Sequence, residues 1–257
     1  MFVLVPGAGG SGWAWHLVAG LLRAAGHEAV AVDLPAADEG AGLSAYAQVI
    51  VEAGAGAEEV VLVAHSFGGL SAPLAVGRVP VRELVLVNAM IPAPGESGGD
   101  WWAATGSSAA RRANDRALGR DPDGDFDLDH YFFHDVPAAL AEQAMAYEQD
   151  EADIAFAEPW PLPAWPDVPT RVVAGADDRL FPVAFQERVA RERLGLPTEV
   201  VPGGHMVALS HPAELTGVLL RGREQERERG RGQERGREQE RERGRGQERG
   251  REQGQGR

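Results

Sequence analysis

Ser66 lies in the segment Val60-Val61-Leu62-Val63-Ala64-His65-Ser66-Phe67-Gly68-Gly69-Leu70. An apolar run enters a small-x-Ser-x-Gly turn, and a helix-forming stretch follows. A nucleophilic serine needs this context: a sharp strand-to-helix turn that presents the hydroxyl, with small neighbours so that strand and helix can approach. Ala64 stands where the pattern usually has glycine, and a methyl group is the least intrusive side chain. The helix N-terminus favours negative charge near the serine. A serine that merely caps a helix would give a similar local pattern, so the partners decide.

A serine nucleophile needs a base, and the base needs an orienting acid. Gly175-Ala176-Asp177-Asp178-Arg179-Leu180-Phe181-Pro182 follows the apolar run Arg171–Ala174. Val201-Pro202-Gly203-Gly204-His205-Met206 follows the next such run. The chain order is serine, then Asp177 or Asp178, then His205, each after a separate strand. An acyl-transfer site also needs two backbone N–H groups for the developing oxyanion. Phe67 supplies one. Ala8, in the glycine-rich loop Pro6-Gly7-Ala8-Gly9-Gly10-Ser11-Gly12, is the candidate for the other. That loop also matches a dinucleotide fingerprint at Gly7, Gly9 and Gly12, with Asp33 downstream, but a nucleotide site leaves Ser66, Asp178 and His205 unexplained.

The elements that must position these groups alternate. Strands are expected at Phe2–Val5, Ala29–Val32, Val60–Ala64, Leu84–Val87, Arg171–Ala174 and Glu199–Val201. Helices are expected around Leu17–Ala25, Tyr46–Val51, Leu70–Val79, Val183–Leu194 and Pro212–Leu220. Continuous apolar strands alternating with helices predict an α/β fold, a mostly parallel sheet with helices on both faces. Residues 89–168, rich in Trp, Pro, Asp and Ala, break the rhythm and read as an inserted helical cap. The 257 residues suffice for a large core. Cysteine is absent, which excludes disulfides, thiolate chemistry and cysteine-ligated zinc. The net charge of −14 argues against a nucleic-acid surface on the body. The lack of an apolar run of about 20 residues argues against a spanning helix. With a first segment that reads as a strand rather than a signal peptide, the expectation is a cytoplasmic protein.

These motifs together resemble the α/β-hydrolase fold, and within it the branch of plant methyl esterases and hydroxynitrile lyases. The resemblance rests on Phe2–Ala8 with Gly12–Trp15, Ala24–His27 through Asp33-Leu34, His65–Gly69, the Asp178 loop through Gln186, and Gly203–Met206. It implies an α/β-hydrolase domain over residues 1–221. The implied roles are Ser66 as nucleophile, His205 as base and Asp178, rather than Asp177, as the acid. It further implies hydrolysis of a small or medium carboxylic ester through an acyl-enzyme on Ser66, with neither cofactor nor metal. In the lyases a threonine occupies the place of Gly7 and a lysine follows the histidine; here Gly7 and Met206 stand as in the esterases. Pro6 replaces a usual histidine. A lyase and a non-enzymatic ligand receptor on the same fold are the alternatives.

Other features invite smaller expectations. His130 and His134 are four apart, but no zinc-protease glutamate accompanies them, and a metal site is not expected. The alternating Asp121, Asp123, Asp125, Asp127 and Asp129 lack the pattern of a calcium loop and read as a solvated acidic segment. Trp101, Trp102, Trp160 and Trp165 could line a pocket or pack the cap onto the sheet. From Gly222 a 14-residue Arg/Glu/Gly/Gln unit repeats to the end of the sequence. It holds 12 arginines and 9 glutamates and no apolar residue, so its composition predicts a disordered tail.

Overall fold

A computed structural model describes residues 1–147 and 149–221. The repeat from Gly222, and the disorder expected for it, lie outside the described residues. The chain divides into two units, Met1–Thr216 and Gly217–Arg257. In the second, residues 217–221 are described and are helical.

The first unit runs β1 (Phe2–Val5), α1 (His16–Ala24), β2 (Ala29–Ala31), α2 (Leu43–Ala53), β3 (Val60–His65), α3 (Gly68–Ser71) and β4 (Val81–Val87). Four helices follow: α4 (Gly98–Thr105), α5 (Ser107–Ala117), α6 (Ala138–Tyr147) and α7 (Asp153–Ala157). It continues with β5 (Thr170–Gly175), α8 (Val183–Leu194), β6 (Thr198–Val201) and α9 (Val207–Ser210); residues 212–216 are helical. A 3₁₀ turn at Gly12–Trp15 precedes α1, and a π-helical turn at Asp129–Phe133 lies between α5 and α6.

All six strands pair in parallel in the order β2-β1-β3-β4-β5-β6. The sequence expectation of an α/β sheet is met, and every described strand is parallel. Every residue of β1 and β3 is buried, which is why these strands read as unbroken apolar runs. The strand order reverses direction at β1: the first crossover leads to one side of it and the second to the other. Right-handed crossovers therefore put α1 and α2 on opposite faces. Open sheets of this kind leave a crevice at the carboxyl ends of the strands flanking the reversal, here β1 and β3. Val5 lies opposite Ala64, and Leu86 opposite both Ala64 and Val172, so the loops after these strands start at similar heights.

The helix expected over Leu70–Val79 is broken. α3 has four residues and gives way to a 3₁₀ turn at Ala72–Ala75. Pro73 carries no N–H and its ring clashes with the preceding turn, so an α-helix cannot run through it. A four-residue helix has little macrodipole, and individual N–H groups must do what a long helix was expected to do near Ser66. Among the described residues no helix is long and apolar enough to cross a membrane.

Gly69 shows how tightly this region is packed. A Cβ there would lie 2.0 Å from the Met90 carbonyl oxygen, and the obstacle is backbone. Gly69→Ala is expected to destabilise the protein by about 1–3 kcal/mol in urea unfolding, as overpacking does. An unchanged midpoint would mean that the Met90 backbone yields freely.

Candidate active site

Ser66 follows β3 with φ at +49°, in the left-handed region that non-glycine residues seldom occupy. Its backbone is held on both sides. The Ser66 N–H donates to Val87 O at 3.2 Å, and Ser66 O accepts from Gly69 N at 3.1 Å and Met90 N at 2.9 Å. Strain of this kind persists only where the surroundings over-determine it. The loop after β1 approaches closely: a Cβ on Gly7 would lie 2.9 Å from Ser66 Cβ and 3.5 Å from Ser66 Oγ.

His205 and Asp178 reach the same point from the loops after β6 and β5. His205 Nε2 lies 3.0 Å from Ser66 Oγ. His205 Nδ1 lies 2.9 Å from Asp178 Oδ2. A carboxylate only accepts, so Nδ1 carries the proton and Nε2 is free to accept from the serine hydroxyl. Both side chains are buried, His205 at 0 % and Asp178 at 3 % exposure. Asp178 Oδ1 accepts from the backbone N–H groups of Leu180 at 2.9 Å and Phe181 at 2.8 Å, which fixes its plane. Gln186 Nε2 donates to Oδ2 at 3.2 Å. Asp177 is exposed, so only the second of the adjacent aspartates meets the histidine.

Two residues that sequence reasoning did not single out hold these loops. Asn88, fully buried with φ at +46°, ends the chain of β4. Its Nδ2 donates to Gly204 O at 3.1 Å and His205 O at 2.9 Å, and its Oδ1 accepts from Gly175 N at 2.7 Å and Gln186 Nε2 at 3.2 Å. The available signal was a polar residue closing an apolar strand, of a type that tolerates the left-handed region. His65 is the other. Its Nε2–H donates to His205 O at 2.9 Å.

The loop after β1 places Ala8 beside Ser66 at the rim of a cavity of about 150 Å³, which Phe67 also lines. Among the described residues neither the Ala8 nor the Phe67 N–H has a protein acceptor. Apart from Ser11 and His65 the rest of the lining is apolar, including Trp13, Trp102, Phe132, Phe156, Leu180 and Met206, and no Asp, Glu or Arg faces it. Of the four tryptophans, only Trp102 reaches the cavity. Trp160 donates its ring N–H to Leu70 O of α3 at 3.0 Å and ties the insertion to the helix after Ser66, while Trp101 and Trp165 donate theirs to Ile91 O and Pro92 O at 3.0 and 2.9 Å within the insertion itself. Asp33 accepts from Gly12 N at 2.8 Å, so it closes the glycine loop. His130 and His134 are engaged with Arg179 and with Asp177 O. Among the described residues no group of three or more His, Asp or Glu is arranged to hold a metal.

Residues 2–218 match the model of the alpha/beta hydrolase family. The chain belongs to the alpha/beta hydrolase family. Among curated relatives, the chain is 40 % identical over 108 residues to esterase PIR7B of Oryza sativa subsp. japonica, covering 37 % of this chain and 40 % of that protein. It is 39 % identical over 105 residues to methyl jasmonate esterase 1 of Vitis vinifera, covering 36 % and 40 %. The chain thus spans about two-fifths of the length of the curated relatives it matches. The crystal structure of polyneuridine aldehyde esterase superimposes with a TM-score of 0.68 at 26 % identity, over 85 % of this chain and 97 % of that one.

Burial of His65 leads to an expected pH dependence of the chain's stability. Burial, and secondarily the neighbouring His205, lowers its pKa from 6.5 to about 3. The unfolded chain therefore takes up the proton first. The stability that comes from keeping this ring neutral is complete above about pH 6.5 and is lost as pH falls toward 3, by at most about 1.4 kcal/mol per pH unit. His65→Gln is expected to show a shallower loss of urea midpoint between pH 7 and pH 5 than the wild type. Equal slopes would mean that other groups carry the acid sensitivity.

Proposed function

We propose that this hydrolase cleaves a small or medium, neutral carboxylic ester through an acyl-enzyme on Ser66. The observation that carries this reading is the unbroken chain Ser66 Oγ, His205 Nε2, His205 Nδ1, Asp178 Oδ2, with links of 3.0 and 2.9 Å. Ser66 Oγ attacks the ester carbonyl while its proton passes to His205 Nε2. Asp178 holds the imidazole in the tautomer that can accept and stabilises the imidazolium that forms. The carbonyl oxygen becomes an oxyanion, bound by the Ala8 and Phe67 N–H groups. Collapse expels the alcohol, which takes its proton from His205. Water then enters, gives a proton to His205 and attacks the acyl carbon; the acid leaves and Ser66 recovers its proton. No cofactor or metal takes part.

The apolar cavity supports a neutral substrate, since a charged group there would be desolvated without a partner. In this reading residues 89–168 form the cap, contributing Trp102, Phe126, Phe132, Ala144 and Phe156 to the lining. The similarity to plant esterases supports ester cleavage. Gly7 and Met206 supply neither a hydroxyl nor a cation, which weighs against the hydroxynitrile-lyase alternative. The close approach of Gly7 to Ser66 leaves little room for a larger side chain. An intact hydrogen-bonded triad weighs against a receptor without catalysis.

Two expected outcomes test the mechanism. Ser66→Ala should lose ester turnover by on the order of 10⁶ in kcat, together with fluorophosphonate labelling; near-wild-type turnover in that variant would sink the reading. Asp178→Asn should lower kcat by roughly 10³–10⁴ because the histidine loses its orienting anion, while Asp177→Asn should change it little. Steady-state kinetics on p-nitrophenyl esters of graded acyl length distinguishes the two, and a reversed ranking would move the acid to the exposed aspartate.

A further inference from the structure

The loop that carries Ala8 is held from outside the sheet. Gly10 N donates to Gly7 O at 3.2 Å, closing a turn with Ala8 and Gly9 at its centre and Gly9 at φ +79°. Such a turn can flip its central peptide, because the two orientations differ little in energy when glycine follows it. Here that peptide, which joins Ala8 to Gly9, is held by its N–H: Gly9 N donates to Glu151 Oε2 at 2.9 Å. The next peptide is held by Gly9 O, which accepts from Gln149 N at 3.2 Å. Glu151 itself is pinned by the Tyr46 hydroxyl, which donates to Oε1 at 2.5 Å, and the next residue, Ala152, donates its N–H to Ala36 O at 2.8 Å. Residues 149–152 thus form a strap between α6 and α7, bonded to the glycine loop, to α2 and to the segment after β2. Burial raises the pKa of the Tyr46 hydroxyl, and its hydrogen bond to Glu151 adds to this, so it remains a donor.

We propose that Glu151 is a positioning residue for the oxyanion hole: its carboxylate holds the Gly9 peptide so that the Ala8 N–H stays aimed at the oxygen bound beside Ser66. Glu151 is not among the residues that line the cavity. Its effect passes through one turn to one N–H. That N–H bonds more strongly to the oxyanion than to the ground-state carbonyl, so its misplacement lowers kcat and leaves KM almost alone. The insertion thereby has a second role besides lining the cavity: the oxyanion site is complete only with the strap seated.

This inference rests on the esterase reading, and the experiment separates the two. Kinetics with a p-nitrophenyl ester and inhibition by an apolar trifluoromethyl ketone, whose adduct places an oxyanion at the same site, are measured for the full-length wild type, Glu151→Ala, Glu151→Gln and Tyr46→Phe. Glu151→Ala is expected to lose about tenfold in kcat, a fraction of what losing an oxyanion donor costs. KM should stay within about twofold, and the ketone's inhibition constant should rise by the same factor as kcat falls. Glu151→Gln keeps an oxygen for the Gly9 N–H and should restore most of the rate. Tyr46→Phe frees the carboxylate and should give a smaller loss of the same kind; it carries the test should Glu151→Ala fail to fold. A rise in KM with kcat unchanged, kinetics like wild type in Glu151→Ala, or Glu151→Gln as impaired as Glu151→Ala would overturn the proposal. A wild type that neither turns over the ester nor binds the ketone would instead overturn the esterase reading.

Discussion

The left-handed backbone of Ser66 is the constraint on which the rest of the site depends. A serine at φ +49° is strained unless its peptide groups are bonded on both sides. Val87, Gly69 and Met90 supply those bonds, and they come from β4, from α3 and from the segment that follows β4. Three pieces of chain must therefore crowd around one residue. Crowding demands small neighbours: glycine at 69, where a Cβ would run into the Met90 carbonyl, and glycine at 7, where a Cβ would press on Ser66 itself. The reversal of strand order between β1 and β3 makes this convergence possible. It opens a crevice at the strand ends, and both the serine turn and the loop bearing Ala8 face it.

Asp178 and His205 reach Ser66 from loops of different strands, and the two loops are joined directly where Asp177 N donates to Gly203 O at 2.9 Å. Asn88 adds a second tie. One buried amide bonds the start of the Asp178 loop through Gly175 N, and the His205 loop through two carbonyls. Gln186 bridges Asn88 Oδ1 and Asp178 Oδ2 from α8. A hydrogen-bond network of this kind is costly if half satisfied, so its members specify one arrangement of the loops. Low exposure strengthens each link, since water does not compete for the His205–Asp178 contact.

The insertion between β4 and β5 contributes by packing and by hydrogen bonding. Three of its tryptophans spend their ring N–H groups on backbone carbonyls: Trp101 and Trp165 bond within the segment, and Trp160 anchors it to Leu70 of α3. Trp102, with Phe132 and Phe156, presents an apolar wall to Ser66. The strap at 149–152 meets the glycine loop from the other side. Cavity wall and glycine loop are thus supported by the same stretch of chain, although that stretch has no regular pattern in the sequence.

Much of this was legible in the sequence. Strands buried on both faces must be continuously apolar, so β1, β3, β4 and β5 declared themselves. A parallel sheet then places its loops at one edge, which singled out Ser66, His205 and the aspartate pair. The adjacent Asp177 and Asp178 could not be separated by composition, because both are acids in one turn. The structure separates them by burial: Asp178 points inward to His205, and Asp177 faces solvent. The helix expected after Ser66 failed at Pro73, where a local rule overrode an apolar pattern. The roles of Asn88, Gln186 and Glu151 were not assigned from the sequence, although Asn88 closes an apolar strand with a polar side chain. Each bonds to partners that are far away along the chain, 142 residues in the case of Glu151 and Gly9. Only the folded chain brings such groups within hydrogen-bond reach, so residues that hold a site together leave a weaker trace than residues whose own turn requires them.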